Sequence, residues 1–71
     1  MRYAVVIEKA NGNYSAYVPD LPGCAATGST LEEAQANISE AIQFHIDGLK
    51  EDNLPIPAAE TVAQYIDTDA A

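Results

Sequence analysis

The amino-acid sequence predicts an α+β fold, a two-layer β-β-β-α-β unit, and three observations carry the prediction. Two β-branched and aromatic runs flank Asn11-Gly12, a hairpin signal. A capping sequence at Thr30 opens a long stretch in which apolar residues recur with the 3.6-residue helical period. A last apolar run, residues Val62 to Asp67, follows a proline-rich connection.

The first strand is expected over Tyr3 to Ile7 and the second over Tyr14 to Val18. A two-residue type I′ turn at Asn11-Gly12 would set Ala10 opposite Asn13, Ile7 opposite Ala16, Val6 opposite Tyr17 and Val5 opposite Val18. Alternation then assigns faces. Tyr3, Val5, Ile7, Tyr14, Ala16 and Val18 share the core face, while Ala4, Val6, Glu8, Ser15 and Tyr17 share the other.

In Pro19-Asp20-Leu21-Pro22-Gly23, Pro22 presets φ for the second position of a type II turn and Gly23 supplies the positive φ of the third. Asp20, between the prolines, is expected to accept hydrogen bonds from its own downstream amides. Cys24 to Thr27 reads as a short third strand, with Cys24 packed as a small apolar residue. Thr30-Leu31-Glu32-Glu33 is a capping box in which Thr30 accepts from the Glu33 amide and the Glu33 carboxylate reaches back to the Thr30 amide.

Leu31, Ala34, Ile38, Ala41, Ile42, His45 and Leu49 then form one stripe, with His45 at the core boundary. The helix is expected to end near Asp52, where Lys50 suits the negative terminus, Asn53 can adopt a left-handed cap and Pro55 cannot continue it. Val62 to Asp67 reads as a fourth strand, although Glu60, Ala63 and Gln64 would also suit a helical start. A right-handed crossover puts it beside strand one, giving sheet order 3-2-1-4. The helix covers one sheet face only, so Ala4, Val6 and Tyr17 are left as an expected oligomer interface.

The 71 residues form one expected domain, 1–71, with 11 acidic side chains against three basic ones and a net charge of −8. Arg2, Lys9 and Lys50 are too few and too dispersed to track phosphates, so direct DNA or RNA binding is not expected. The charge suits a basic protein partner instead. With one cysteine and one histidine the chain lacks the ligands of a structural zinc site, and neither a metal nor another cofactor is expected. The apolar run Ala4 to Ile7 is far short of a signal-peptide core or a membrane span, so a cytoplasmic protein is expected.

Taken together, Tyr17-Val18-Pro19-Asp20-Leu21-Pro22-Gly23-Cys24, Gly28-Ser29-Thr30 with Glu32-Glu33-Ala34, Asn37-Ile38 and Glu40-Ala41-Ile42 resemble the HicB antitoxin family. The resemblance extends through Gly48-Leu49 to Asn53-Leu54-Pro55-Ile56-Pro57, about four-fifths of the chain. It implies a HicB-like domain, a partial form of the RNase H fold. It also implies membership of a type II toxin-antitoxin system, in which the protein neutralises a small basic HicA-like mRNA-cleaving toxin by masking its RNA-binding surface. Many family members continue into a DNA-binding segment, whereas this sequence reads as a short form. Two alternatives stand beside the antitoxin reading: an orphan HicB-like self-associating structural or regulatory protein, and a degenerate RNase H-like nuclease.

Phe44, Tyr17 and Leu21 are the expected apolar anchors for a partner, with Glu40 and Asp47 steering it. Pro19, Asp20, Pro22, Gly23, Cys24, Thr30 and Glu33 are expected to build the corner and the helix start. A nuclease would need Glu8, Glu40 and Asp67 to converge, but helical projection and hairpin register turn Glu40 and Glu8 away from one another. No catalytic residue, and so no enzyme, is expected.

Overall fold

Strand pairing begins where the chain can reverse in two residues, and Gly12 is the residue that permits it. The computed structural model describes residues 1–69. They form β1 (Val6–Ala10), β2 (Asn13–Tyr17), β3 (Ala25–Gly28) and α1 (Leu31–Glu51). The antiparallel sheet has β2 at its centre, and the pairs Ala10–Asn13, Ile7–Ala16 and Val6–Tyr17 form as the turn length requires. The turn itself is different from the one expected. Gly12 has φ 75° but Asn11 keeps a negative φ, the sign pattern of type II and not of type I′.

β1 also starts three residues later than the expected Tyr3, and the Val5–Val18 pair does not form in the ladder. The reason lies in β2. Val18 stays in register with β3, its amide donating to the Cys24 carbonyl at 3.2 Å, but Pro19 follows it and has no amide to offer β1. Two linked turns follow, with Leu21 N–H on the Val18 carbonyl (3.1 Å) and Cys24 N–H on the Leu21 carbonyl (3.0 Å). Pro22 and Gly23, the latter at φ 84°, occupy the central positions of the second turn, as a type II turn demands.

Thr30 caps α1 by accepting from the Glu33 amide at 3.1 Å. The return bond of the capping box lands one residue earlier than expected: the Glu33 carboxylate accepts from the Ser29 amide at 3.0 Å. Gly28 precedes this cap and is buried against the first turn of the helix. A Cβ there would stand 2.9 Å from the Ala34 Cα and closer still to the Ala34 nitrogen. At the other end Asn53 adopts φ 55°, its amide donates to the Lys50 carbonyl (3.1 Å) and the Leu54 amide to that of Leu49 (2.9 Å). This is a Schellman motif with asparagine in the usual glycine position.

The core lies between α1 and the centre of the sheet, where Ala16, Val18, Leu21, Cys24 and Ile38 are buried and Val5, Ile7, Ala26, Ala41 and Ile42 pack around them. Leu21 is wholly buried. It is therefore a core residue and not the surface anchor expected, because its two turns direct it inward beneath the helix.

Among the described residues no fourth strand forms. Residues 61–68 have no regular structure, and the expected order 3-2-1-4 reduces to 3-2-1. Val62, Tyr65 and Ile66 are 78%, 104% and 77% exposed. A tether holds the start of this segment against the Pro19–Gly23 corner.

Candidate functional site

Asp20 makes that tether. Its carboxylate accepts hydrogen bonds from the Glu60 amide (3.0 Å), the Thr61 amide (2.9 Å) and the Thr61 hydroxyl (2.7 Å). The Thr61 backbone and hydroxyl contacts lead in holding its pKa below the ordinary value. This corrects the expectation that Asp20 bonds its own downstream amides, since the amides that it binds lie some 40 residues away. No local signal in the sequence could have named Thr61. Tyr3 adds a second fastening, its hydroxyl donating to the Pro57 carbonyl at 2.6 Å.

Two surfaces remain for partners, and they lie on opposite sides of the molecule. The outer face of α1 carries Phe44, 81% exposed. Around it an open concavity of about 540 Å³ is lined by Asn37, Glu40, Ala41, Gln43 and Asp47. The Gln43 side-chain amide donates to the Asp47 carboxylate at 2.9 Å, fixing one acid beside the ring. Asn37 anchors this face to the sheet by donating to the Thr27 carbonyl at 2.8 Å, a contact that spans helix and strand and so escaped local reading. An aromatic ring between carboxylates can seat an apolar contact while a cationic group is drawn to its rim.

The uncovered sheet face is the second surface. Tyr17 is 43% exposed there, with its ladder partner Val6 half-buried. Ala4, also half-buried, precedes β1. Tyr17 is thus separated from Phe44, Glu40 and Asp47 by the thickness of sheet and helix, and the five expected partner contacts do not form one patch.

The acids that a nuclease would need diverge. Glu8 is paired with Ser15 in the ladder and shares Tyr17's side of the sheet, Glu40 lies beside Phe44 on the helix, and Asp67 is in the exposed tail. Among the described residues no cluster of three or more His, Cys, Asp or Glu is placed to hold a metal ion. Cys24 is buried, and burial pushes its thiol pKa up, away from thiolate chemistry. His45 is half-buried on α1. No described helix is long and apolar enough to cross a membrane.

Comparison with known proteins adds three findings. The family described as "HicB_like antitoxin of bacterial toxin-antitoxin system" matches residues 3–70. The chain is 48% identical over 66 residues to a 14.9 kDa protein encoded in the rep-hol intergenic region of Haemophilus phage HP1, covering 93% of this chain and 50% of that one. It is also 48% identical over 58 residues to a UPF0150 protein of Thermoplasma acidophilum, covering 80% and 84%. The chain therefore spans half the length of the phage relative. Among solved structures it is similar to a chain of the HicA3 and HicB3 toxin-antitoxin complex, with a TM-score of 0.73 and 30% identity over 84% of this chain and 70% of that one.

Proposed function

This chain belongs to the HicB_like antitoxins of bacterial toxin-antitoxin systems, and on that premise we propose that it binds a small basic HicA-like toxin and neutralises it by covering the surface where RNA enters. The observation that carries the proposal is the acid-rimmed Phe44 on the outer face of α1. A ring 81% exposed within a concavity lined by Glu40 and Asp47 offers a partner an apolar anchor with acids at its rim. Glu40 and Asp47 supply charge of the sign that would compete with RNA for a cationic site, and the net charge of −8 speeds encounter. Similarity to a chain of the HicA3 and HicB3 complex supports the partner class.

The protein acts by binding and not by turnover in this reading, and works in the cytoplasm. The partial RNase H-like form of the fold belongs to the same proposal and depends on a strand beside β1. Self-association through Ala4, Val6 and Tyr17 accompanies it, because that face is opposite Phe44 and stays available. An orphan self-associating protein without a toxin is the alternative that the exposed Tyr17 favours.

Co-purification of the tagged chain from its native host tests the proposal, followed by RNA-cleavage assays on any small basic partner. A stoichiometric basic partner should lose its RNA cleavage as the complex forms, and its binding should weaken as salt rises. A partner that binds equally at low and high salt, or that remains fully active when saturated, would rule out masking.

A further inference from the structure

We infer that Asn11 is a site of spontaneous covalent modification: its side-chain amide is lost through a cyclic imide formed with the Gly12 backbone nitrogen, and the product loosens the hairpin of β1 and β2. Asparagine is among the chemically labile residues, and its neighbours decide how labile. Asn11 and Gly12 are the two residues between the strands, both are exposed, and the ladder stops at the Ala10–Asn13 pair that flanks them. The attack needs a backbone nitrogen that can lose its proton and reach the carboxamide carbon of the residue before it. Gly12 meets both needs. It has no side chain to crowd the approach, and a Cβ there would meet nothing within 4 Å. Among the described residues no acceptor takes its amide proton.

The other asparagines each lack one of these conditions. Asn13 precedes Tyr14 within β2, a residue with a large side chain. Asn37 lies within α1 with its carboxamide donating to the Thr27 carbonyl at 2.8 Å, and the Ile38 that follows is β-branched and buried. Asn53 precedes Leu54, whose amide is committed to the Leu49 carbonyl at 2.9 Å. Asp47-Gly48 could close the same ring from a carboxyl group but lies inside α1, where the Gly48 amide belongs to the helical ladder and the Asp47 carboxylate accepts from Gln43.

The reaction balances with water as the co-reactant. Hydroxide removes the Gly12 amide proton, the nitrogen bonds to the Asn11 Cγ, and the Cγ–Nδ2 bond breaks. The departing nitrogen takes a proton from water and leaves as ammonia, which regenerates the hydroxide. Water then opens the imide. Cleavage between the nitrogen and Cγ gives aspartate, whereas cleavage between the nitrogen and the backbone carbonyl carbon gives isoaspartate, whose main chain runs through Cβ and Cγ. Both products add a negative charge to the net −8. Isoaspartate also inserts an extra carbon into the main chain of a two-residue turn. Such a turn sets the register of its strands by its length, so the Ala10–Asn13 pair at the end of the ladder is the one disturbed.

Holding the whole chain at mildly alkaline pH and mapping Asn11, Asn13, Asn37 and Asn53 by peptide mass spectrometry tests the inference, with a synthetic peptide of residues 9–14 as the clock. Asn11 is expected to convert to isoaspartate and aspartate before any other asparagine changes, at a rate that rises in proportion to hydroxide. Amide exchange at Ala10 and Asn13 should quicken in step with isoaspartate formation. In Asn11→Gln, whose longer side chain would have to close a larger and slower ring, position 11 should keep its mass and the hairpin its exchange rates over the same period. Asn11 intact when the peptide has fully converted, or another asparagine converting first, would overturn the assignment of the site. Loosening that proceeds equally in Asn11→Gln would overturn the consequence drawn for the hairpin.

Discussion

At the scale of single residues, Asp20 is the side chain whose role the folded structure changes most. Its carboxylate is an acceptor for three donors from residues 60 and 61, each of which stabilises the charged form and lowers its pKa. A depressed folded pKa means that the tether is at full strength above the ordinary aspartate range and is lost as pH falls through the lower folded value. The Thr61 amide proton shift, followed by NMR against pH, should therefore titrate with a midpoint on the acid side of that range. In Asp20→Asn the titration should vanish and the Glu60 and Thr61 amides should exchange faster with solvent. A Thr61 shift that titrates unchanged in Asp20→Asn would assign the bonds to some other group. Nothing about Asp20 in its own neighbourhood distinguishes a self-capping turn aspartate from one that reaches across the fold, because both roles need the same short acceptor between prolines.

At the scale of elements, what was legible in the sequence divides by range. The hairpin register, the Pro22-Gly23 turn, the Thr30 cap and the Asn53 terminus all rest on residues within a few positions of one another, and each occurs in the structure. The start of β1 differs from the expected Tyr3 because Pro19, directly after Val18, has no amide to extend the pairing with β1. The fourth strand is absent among the described residues for a reason of longer range. Its apolar pattern is present, but pairing depends on what occupies the slot beside β1, which local pattern does not specify. The exposed acid-rimmed Phe44 was legible from helical projection alone, whereas Leu21 was misjudged because a turn residue was read as a surface one.

Two glycines at this scale make opposite predictions for one substitution. Gly28→Ala should destabilise the fold, because the added carbon meets helix backbone and not a movable side chain; overpacking of this kind costs about 1–3 kcal/mol. Gly48 lies within α1 with open space where a Cβ would project. Gly48→Ala should stabilise by about 1 kcal/mol through helix propensity. Thermal melts check both, with a shift of about 4–8 °C per kcal/mol expected for a domain of this size. Equal effects of the same sign would show that propensity and not the β3–α1 approach controls both sites.

At the scale of the whole molecule, two layers present two outward faces, and the proposed function divides between them. Phe44, Glu40 and Asp47 face out from the helix, while Val6 and Tyr17 face out from the sheet. One partner cannot bury both sets at once without wrapping around the domain. Toxin capture through the helix and self-association through the sheet should therefore be separable by mutation. Phe44→Ala should weaken binding of a basic HicA-like toxin by about 2 kcal/mol or more, chiefly by faster dissociation, if the ring is a true anchor. It should leave the sedimentation coefficient of the free protein unchanged. Glu40→Lys with Asp47→Lys should instead slow association and flatten its salt dependence, because rim charges act on encounter more than on lifetime. Val6→Glu should disturb self-association through the sheet face while the toxin dissociation rate stays the same. Surface plasmon resonance against the toxin at two salt concentrations, run beside sedimentation of each variant, reads both properties. Loss of toxin binding in Val6→Glu with none in Phe44→Ala would move the toxin to the sheet face, and the acidic helix face would then have to serve another partner.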